Sequence, residues 1–448
     1  MKTALCFDNR LPLFRRSSFG RSESVRFVVI AALLLLGLLP IGQLLGAEQD
    51  PLRADVLTFN SNQKPSPDTL TSDSFPVSLA CKTSKLAQNS QPYYVILRGI
   101  DPIEKALLQD AQNGKWNRFD LFRAAMIVEG IRDPELIRTY ETRLDALVAK
   151  VLAESRANGG TTPQALTRSL FEAMHREILT KSYSLHCTEL SKVMSTGAFN
   201  CVSATVLFNV LAEKAGLDVC ALEMPGHALS RVRFADGIAM NIETTAPNWF
   251  DLQTDKERQM ATFERIVAPT PAQTEPVTAQ DVNAPPAVIA EAELSANFRV
   301  ISPVQLVATI YYNLGVDLHA KKLFPEAAAA NVKALYLDKD NEQAWTNLLA
   351  SLNNWALDLA GESRGSRYNV STFILDQGVM LDPAYANFYP NQTYVFHRWI
   401  SGLANIGRFG DARQVHELAK KRLPNNKTLQ DLIDAVSLEE AKIQQQRR

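Results

Sequence analysis

Three residues near the middle of the chain have the types that thiol chemistry requires. Cys201 follows Asn200, His227 follows Pro225-Gly226, and Glu243 follows Asn241-Ile242. A sulfur nucleophile needs a base to remove its proton and a polar group to orient that base. Taken singly, a free cysteine on an apolar helix is usually core, and a lone histidine near a turn is usually a satisfied polar group. The three together, in this order, define a candidate Cys201-His227-Glu243 site.

The elements that must position them can be read locally. Asn200 is a good N-cap, and Val202, Val206 and Val210 with Leu207 and Leu211 form an apolar stripe at helical spacing. Gly216 is suited to end that helix. Cys201 then lies in the first turn, where unpaired N–H groups and the helix dipole lower a thiol from about 8.5 to roughly 3.5–7.5. Val219 to Met224 reads as a buried strand, Pro225-Gly226 as a turn, and His227–Phe234 and Ile238–Thr244 as two strands. Their loop, Ala235-Asp236-Gly237, fits a three-residue hairpin with Gly237 left-handed. That register sets Phe234 opposite Ile238 and Leu229 opposite Glu243, so Glu243 shares the face of His227. A two-residue loop would turn it away. Asn241 lies on the same face and is a second candidate for orienting the histidine.

These residues also carry a resemblance. Phe199-Asn200-Cys201-Val202-Ser203, Leu211 through Leu217, and Pro225-Gly226-His227-Ala228-Leu229 resemble the transglutaminase-like superfamily, within the papain-like cysteine proteases. The similarity is to the bacterial branch joined to tetratricopeptide repeats, and it covers roughly residues 100–255. The resemblance implies an α+β papain/transglutaminase-like core with a helical lead-in, followed by an all-α repeat module. The family's Cys, His and acidic residue, usually Asp, map onto Cys201, His227 and Glu243. The implied activity is cysteine-dependent hydrolysis of, or acyl transfer from, a peptide or glutamine-type amide. No upstream side chain stands out as an oxyanion-hole donor, which leaves the backbone N–H of Cys201.

Along the chain, residues 1–47 read as a signal peptide or signal-anchor. Arg10, Arg15, Arg16, Arg21 and Arg26 precede an apolar run from Phe27 to Leu45. Either form exports the body, to the periplasm or to a membrane-anchored position in the cell envelope. Residues 48–92 are polar and Ser/Thr/Asn/Gln/Pro-rich, the composition of a flexible spacer. Residues 93–256 hold the candidate catalytic domain, with helical periodicity over 101–195 broken at Arg132-Asp133-Pro134 and Ala157-Asn158-Gly159-Gly160. Residues 257–300 form a Pro-rich linker. From 301 to 440 the chain repeats: Trp345 and Leu348 follow Tyr311 and Leu314 at the 34-residue period of a tetratricopeptide unit. Gly315, Ala327 and Ala334 take small-residue positions of one unit, and Ala412, Ala419 and Pro424 those of another. Such repeats either hold a protein or peptide partner in a groove or brace the domain before them.

Composition excludes several classes. The 448 residues are 46% hydrophobic and 21% charged, with a formal net charge of −1, enough for two or three cores and without the basic footprint of a nucleic-acid binder. There is no phosphate loop or dinucleotide fingerprint, so no cofactor is implied. His186 and Cys187 are adjacent instead of being spaced as zinc ligands, and no Cys-x-x-Cys occurs, so no metal is implied. Outside the leader the cysteines are Cys81, Cys187, Cys201 and Cys220. With Cys201 free as nucleophile, at most one disulfide can form among the others, and Cys220 reads as strand core. Two functions stand: an exported cysteine-dependent amidase or acyl transferase, and a non-catalytic cell-envelope adaptor whose repeats and inactive pocket hold protein partners.

Overall fold

The computed structural model describes residues 58–60, 74–79, 93–157, 162–224, 226–252, 298–361 and 367–446. The leader 1–47, Cys81 and most of the Pro-rich linker lie outside these residues. The class is mixed α+β: two small antiparallel sheets, with a helical C-terminal half. No helix among the described residues is long and apolar enough to cross a membrane.

The first sheet has β1 (Thr58–Asn60), β2 (Phe75–Leu79) and β3 (Tyr93–Leu97), with β3 in the middle. The helical lead-in follows as α1 (Pro102–Asp110), α2 (Leu121–Val128), α3 (Pro134–Ala157), α4 (Pro163–Glu177) and α5 (Leu190–Thr196). Side-chain caps start α1, α2 and α4. Asp101 accepts from Ile103 and Glu104 N–H at 3.0 Å, Asp120 from Arg123 N–H at 2.7 Å, and Thr162 from Ala165 N–H at 3.2 Å.

Next comes α6 (Cys201–Lys214), then the second sheet in the order β6 (Ala239–Ile242), β5 (His227–Arg233), β4 (Asp218–Met224), β7 (Arg299–Ile301). Ser302 caps α7 (Pro303–Ala320) in a capping box with Gln305. The remaining helices are α8 (Phe324–Leu337), α9 (Glu342–Ala360), α10 (Tyr368–Leu381), α11 (Phe388–Asn405), α12 (Phe409–Arg422) and α13 (Lys427–Gln446).

Two expectations about boundaries need correction. Within the stretch read as a spacer, Phe75, Val77 and Leu79 are buried on one face of β2. Their period-2 alternation is only five residues long and is swamped by polar neighbours, so composition hides it. Likewise Arg299–Ile301, which straddles the boundary read at 300 between linker and repeats, pairs with β4 as an edge strand. The part of the chain that holds the candidate site and the helical half also share one hydrophobic core. Val304, Leu306, Val307, Ile310 and Tyr311 of α7 join the cluster that holds Phe208 and Leu211 of α6. A second, smaller cluster, including Phe396, Ala412 and Ile433, serves the last helices.

Small residues in the helical half are sterically required. A Cβ on Gly315 would lie 2.7 Å from Nδ2 of buried Asn331, and one on Gly378 would lie 2.4 Å from the ring of buried Phe388. Gly378→Ala therefore destabilises the chain by about 1–3 kcal/mol through overpacking, despite the better helix propensity of alanine. Gly402→Ala, whose Cβ would meet nothing within 4 Å, is neutral or stabilising. Thermal unfolding of the two full-length variants checks the contrast.

Candidate active site

The helix that begins at Cys201 is fixed at both ends by its own sequence. Asn200 Oδ1 accepts from Ser203 N–H at 3.0 Å, and Ser203 Oγ accepts from Asn200 N–H at 3.0 Å, a reciprocal capping box. At the far end Gly216 has φ 81°, Leu217 N–H reaches Ala212 O, and Gly216 N–H reaches Glu213 O, the double closure of a Schellman turn. Between these ends every residue from Cys201 to Ala212 is buried, so α6 is a central helix with no solvent face. Its polar positions Cys201, Thr205 and Asn209 fall at i, i+4 and i+8. Thr205 Oγ1 donates to Ala228 O at 3.2 Å, and Asn209 Oδ1 accepts from Ser230 Oγ at 2.6 Å. This polar stripe docks α6 on β5 with Cys201 at its head.

The hairpin has the expected register. Arg233 pairs with Ala239 and Ser230 with Ile242, the loop closes between Phe234 and Ile238, and Gly237 has φ 83°. Because β6 stops at Ile242, residues 227–229 of β5 extend past their neighbour. The overhanging Ala228 directs its N–H toward the Cys201 sulfur and its carbonyl toward Thr205. Glu243 lies just beyond the strand end, and its Oε2 is 2.7 Å from His227 Nε2. The Glu243 side chain is 2% exposed and that of His227 7%. Glu243 Oε1 accepts from Thr245 N–H at 2.9 Å and Thr245 Oγ1 at 2.5 Å. A carboxylate only accepts, so Nε2 carries the proton, and Nδ1 is the ring nitrogen left for the sulfur. The charge and hydrogen-bonding capacity of His227 act on the Cys201 sulfur. The three sequence-derived candidates are thus brought together in one buried cluster.

Electrostatics favour the charged forms against burial. Burial pushes the Cys201 thiol up, but the hydrogen bond and charge of His227 and the Ala228 N–H outweigh it and hold the thiol below its ordinary value. Burial opposes a charged His227, yet the Glu243 carboxylate and the Cys201 sulfur raise it to about 10. Burial likewise disfavours ionised Glu243, and His227 with both Thr245 donors brings it below the usual carboxylate range. Both shifts favour the thiolate–imidazolium form of the pair over the neutral one.

Asn241, the other candidate for orienting the base, is engaged elsewhere: its Oδ1 accepts from Arg231 Nε at 2.7 Å. Several site residues were not read from the sequence. Tyr183 Oη donates to Cys201 Sγ at 4.0 Å, and nothing in its sequence neighbourhood marks it. Its loop is held by the cap of α6: Asn200 Nδ2 donates to Leu185 O at 3.0 Å and to Thr188 Oγ1 at 2.7 Å, and Ser203 Oγ donates to Cys187 O at 2.7 Å. The same loop is tied to α7 through His186–Asp317 at 2.8 Å and Asn313–Thr188 at 3.2 Å. His175 bonds Thr244 O at 3.1 Å, and burial lowers it to about 4. It is a neutral clamp on the segment after Glu243. The spacing of Thr205 and Asn209 from Cys201, and the position of Thr245 two residues after Glu243, were the available signals.

Cys187, Cys201 and Cys220 are free thiols. Among the described residues no group of three or more His, Cys, Asp or Glu side chains is arranged to hold a metal ion. The arrangement can present a sulfur whose ionisation is favoured to an electrophilic carbon and return a proton from the adjacent imidazolium. Comparison of the chain with known protein families, characterised proteins and solved structures finds no match.

Proposed function

We propose that this chain is an exported cysteine-dependent amide hydrolase or acyl transferase of the transglutaminase-like kind, acting on a peptide or glutamine-type amide. One observation carries the reading: the buried Cys201–His227–Glu243 chain, with the sulfur at a helix N-terminus. In the reaction the Cys201 thiolate attacks the amide carbon, an S–C bond forms, and the carbonyl electrons move onto oxygen. As the carbonyl reforms, the C–N bond breaks and the His227 imidazolium gives its proton to the departing nitrogen. Water or an acceptor amine then attacks the thioester, His227 takes the proton, and the thiolate leaves.

The repeats, read as tetratricopeptide-like from their period and small residues, act first as a brace. Their opening helix fills the core behind α6 and grips the Tyr183 loop. An outer groove for a protein or peptide partner is compatible with that role. Export rests on the leader, and a reporter active only outside the cytoplasm, fused after Arg448, tests it.

The direct test is alkylation of the full-length protein with iodoacetamide at pH 6–7, with the labelled cysteine identified by peptide mass because Cys187 is also free and only partly buried. Labelling of Cys201 well below the ordinary thiol range, lost in Cys201→Ala, together with turnover of glutamine-containing peptides, is the expected result. A Cys201 that reacts only above about pH 8.5 would instead favour the adaptor.

A further inference from the structure

We propose that the Tyr183 hydroxyl and the backbone N–H of Cys201 together form the oxyanion hole of this site, an assignment that rests on the thiol chemistry proposed above. The Tyr183 Oη–H is directed at the sulfur from 4.0 Å, and the Cys201 N–H faces the same hydroxyl. Cys201 is the first residue of α6, so its N–H is among those with no acceptor inside the helix. A carbonyl oxygen one carbon away from the sulfur enters the space where these two donors converge. An oxyanion hole places both donors about 2.7–3.1 Å from that oxygen.

The donors are also held in advance, as electrostatic stabilisation requires. The Tyr183 ring meets Phe199 edge-on at 6.3 Å, the two residues form a β-bridge, and Ser184 N–H bonds Phe199 O at 2.8 Å. Asn200, which caps the nucleophile's helix, holds the following turn through Leu185 O. One residue pair, Asn200 and Ser203, thus fixes the sulfur, the backbone donor and the phenol loop relative to one another. Burial and the neighbouring sulfur raise the phenol above its ordinary value, so it remains a proton donor throughout the working range.

When the thiolate adds to the carbonyl, the S–C bond forms and the C=O π pair becomes the oxyanion held by Tyr183 and Cys201. When that pair returns, the C–N bond breaks. The hole itself neither gains nor loses a proton.

The test compares wild type with Tyr183→Phe, two full-length proteins differing by one hydroxyl, using two probes. Iodoacetamide reacts by displacement at a saturated carbon and forms no oxyanion. The peptide aldehyde acetyl-glutaminyl-glycinal adds reversibly and does form one. The expected result is a roughly 10²–10³-fold loss of aldehyde affinity, far larger than the small change in Cys201 alkylation that losing the Tyr183–sulfur contact brings. Equal aldehyde affinity in the two proteins overturns the hole and leaves the thiol site standing. An alkylation profile displaced to higher pH, with aldehyde affinity falling only in proportion, overturns it in favour of a phenol that merely stabilises the thiolate. A wild-type Cys201 inert to both probes overturns the hole and the thiol reading together.

Discussion

Replacing His227 with alanine lowers amide turnover by about 10⁴-fold or more, because base and proton donor are lost in one step. The same change moves thiol alkylation to higher pH. In wild type the hydrogen bond and charge of His227 are the first forces opposing burial of the Cys201 thiolate. Without them the Ala228 N–H is left to oppose burial and the nearby Glu243 carboxylate, which both push the thiol upward. Wild-type turnover therefore rises as pH passes the lowered thiol value and falls as pH climbs through about 10, where His227 loses its proton. Stability follows the same sign. The folded-state value of His227 lies above the roughly 6.5 of an unfolded chain, so its contribution is complete below that pH and is lost as pH rises toward about 10. Parallel pH profiles of turnover and alkylation for wild type and His227→Ala are the measurement. An alkylation curve unchanged by the substitution would mean the two side chains are not coupled.

The second large effect belongs to Glu243. Glu243→Gln preserves shape and can still accept from Thr245 through its oxygen, but an amide nitrogen faces His227 in place of Oε2. An NH2 group donates, so Nε2 must become the acceptor and the ring proton moves to Nδ1, the nitrogen that serves the sulfur. A ring in that tautomer cannot take the thiol proton, and the loss is about 10³–10⁴-fold, as when the carboxylate of a catalytic triad becomes an amide. Glu243→Asp keeps the charge but shortens the reach, so it retains part of the activity. Asn241→Ala, which removes a partner of Arg231, has a small effect. If Asn241→Ala abolished turnover while Glu243→Gln did not, the orienting role would pass to Asn241. Steady-state rates of the three variants decide this.

What could be read in advance follows the range of the forces involved. The Asn200 cap, the Gly216 stop and the Gly237 hairpin each depend on a few adjacent residues, and these set the helix start and strand register that bring Cys201, His227 and Glu243 together. Tyr183 reaches the sulfur through a loop path with no periodicity, so no local rule points to it. The strand Phe75–Leu79 is too short for its alternation to stand out, and it gains its meaning from packing such as Phe75 against Tyr336, 5.1 Å between ring centroids. The apolar stripe Val202–Val206–Val210 was visible, yet one stripe suggests a helix with a wet face. The burial of the opposite side is imposed by β5 and by a helix some hundred residues downstream.

That downstream helix, Pro303–Ala320, bears on how such a chain can be inherited. Motif boundaries suggest two interchangeable parts, an enzyme and an array, joined by a proline-rich seam. The shared interior says otherwise: core residues run from Phe75 to Val395 in one continuous cluster, and the strand just after the seam is an edge of the sheet that carries His227. A recombination breakpoint in the seam would leave both halves with raw apolar faces. The heritable unit is the whole span, and swapping arrays between relatives would succeed only where Pro303–Ala320 travels with the thiol.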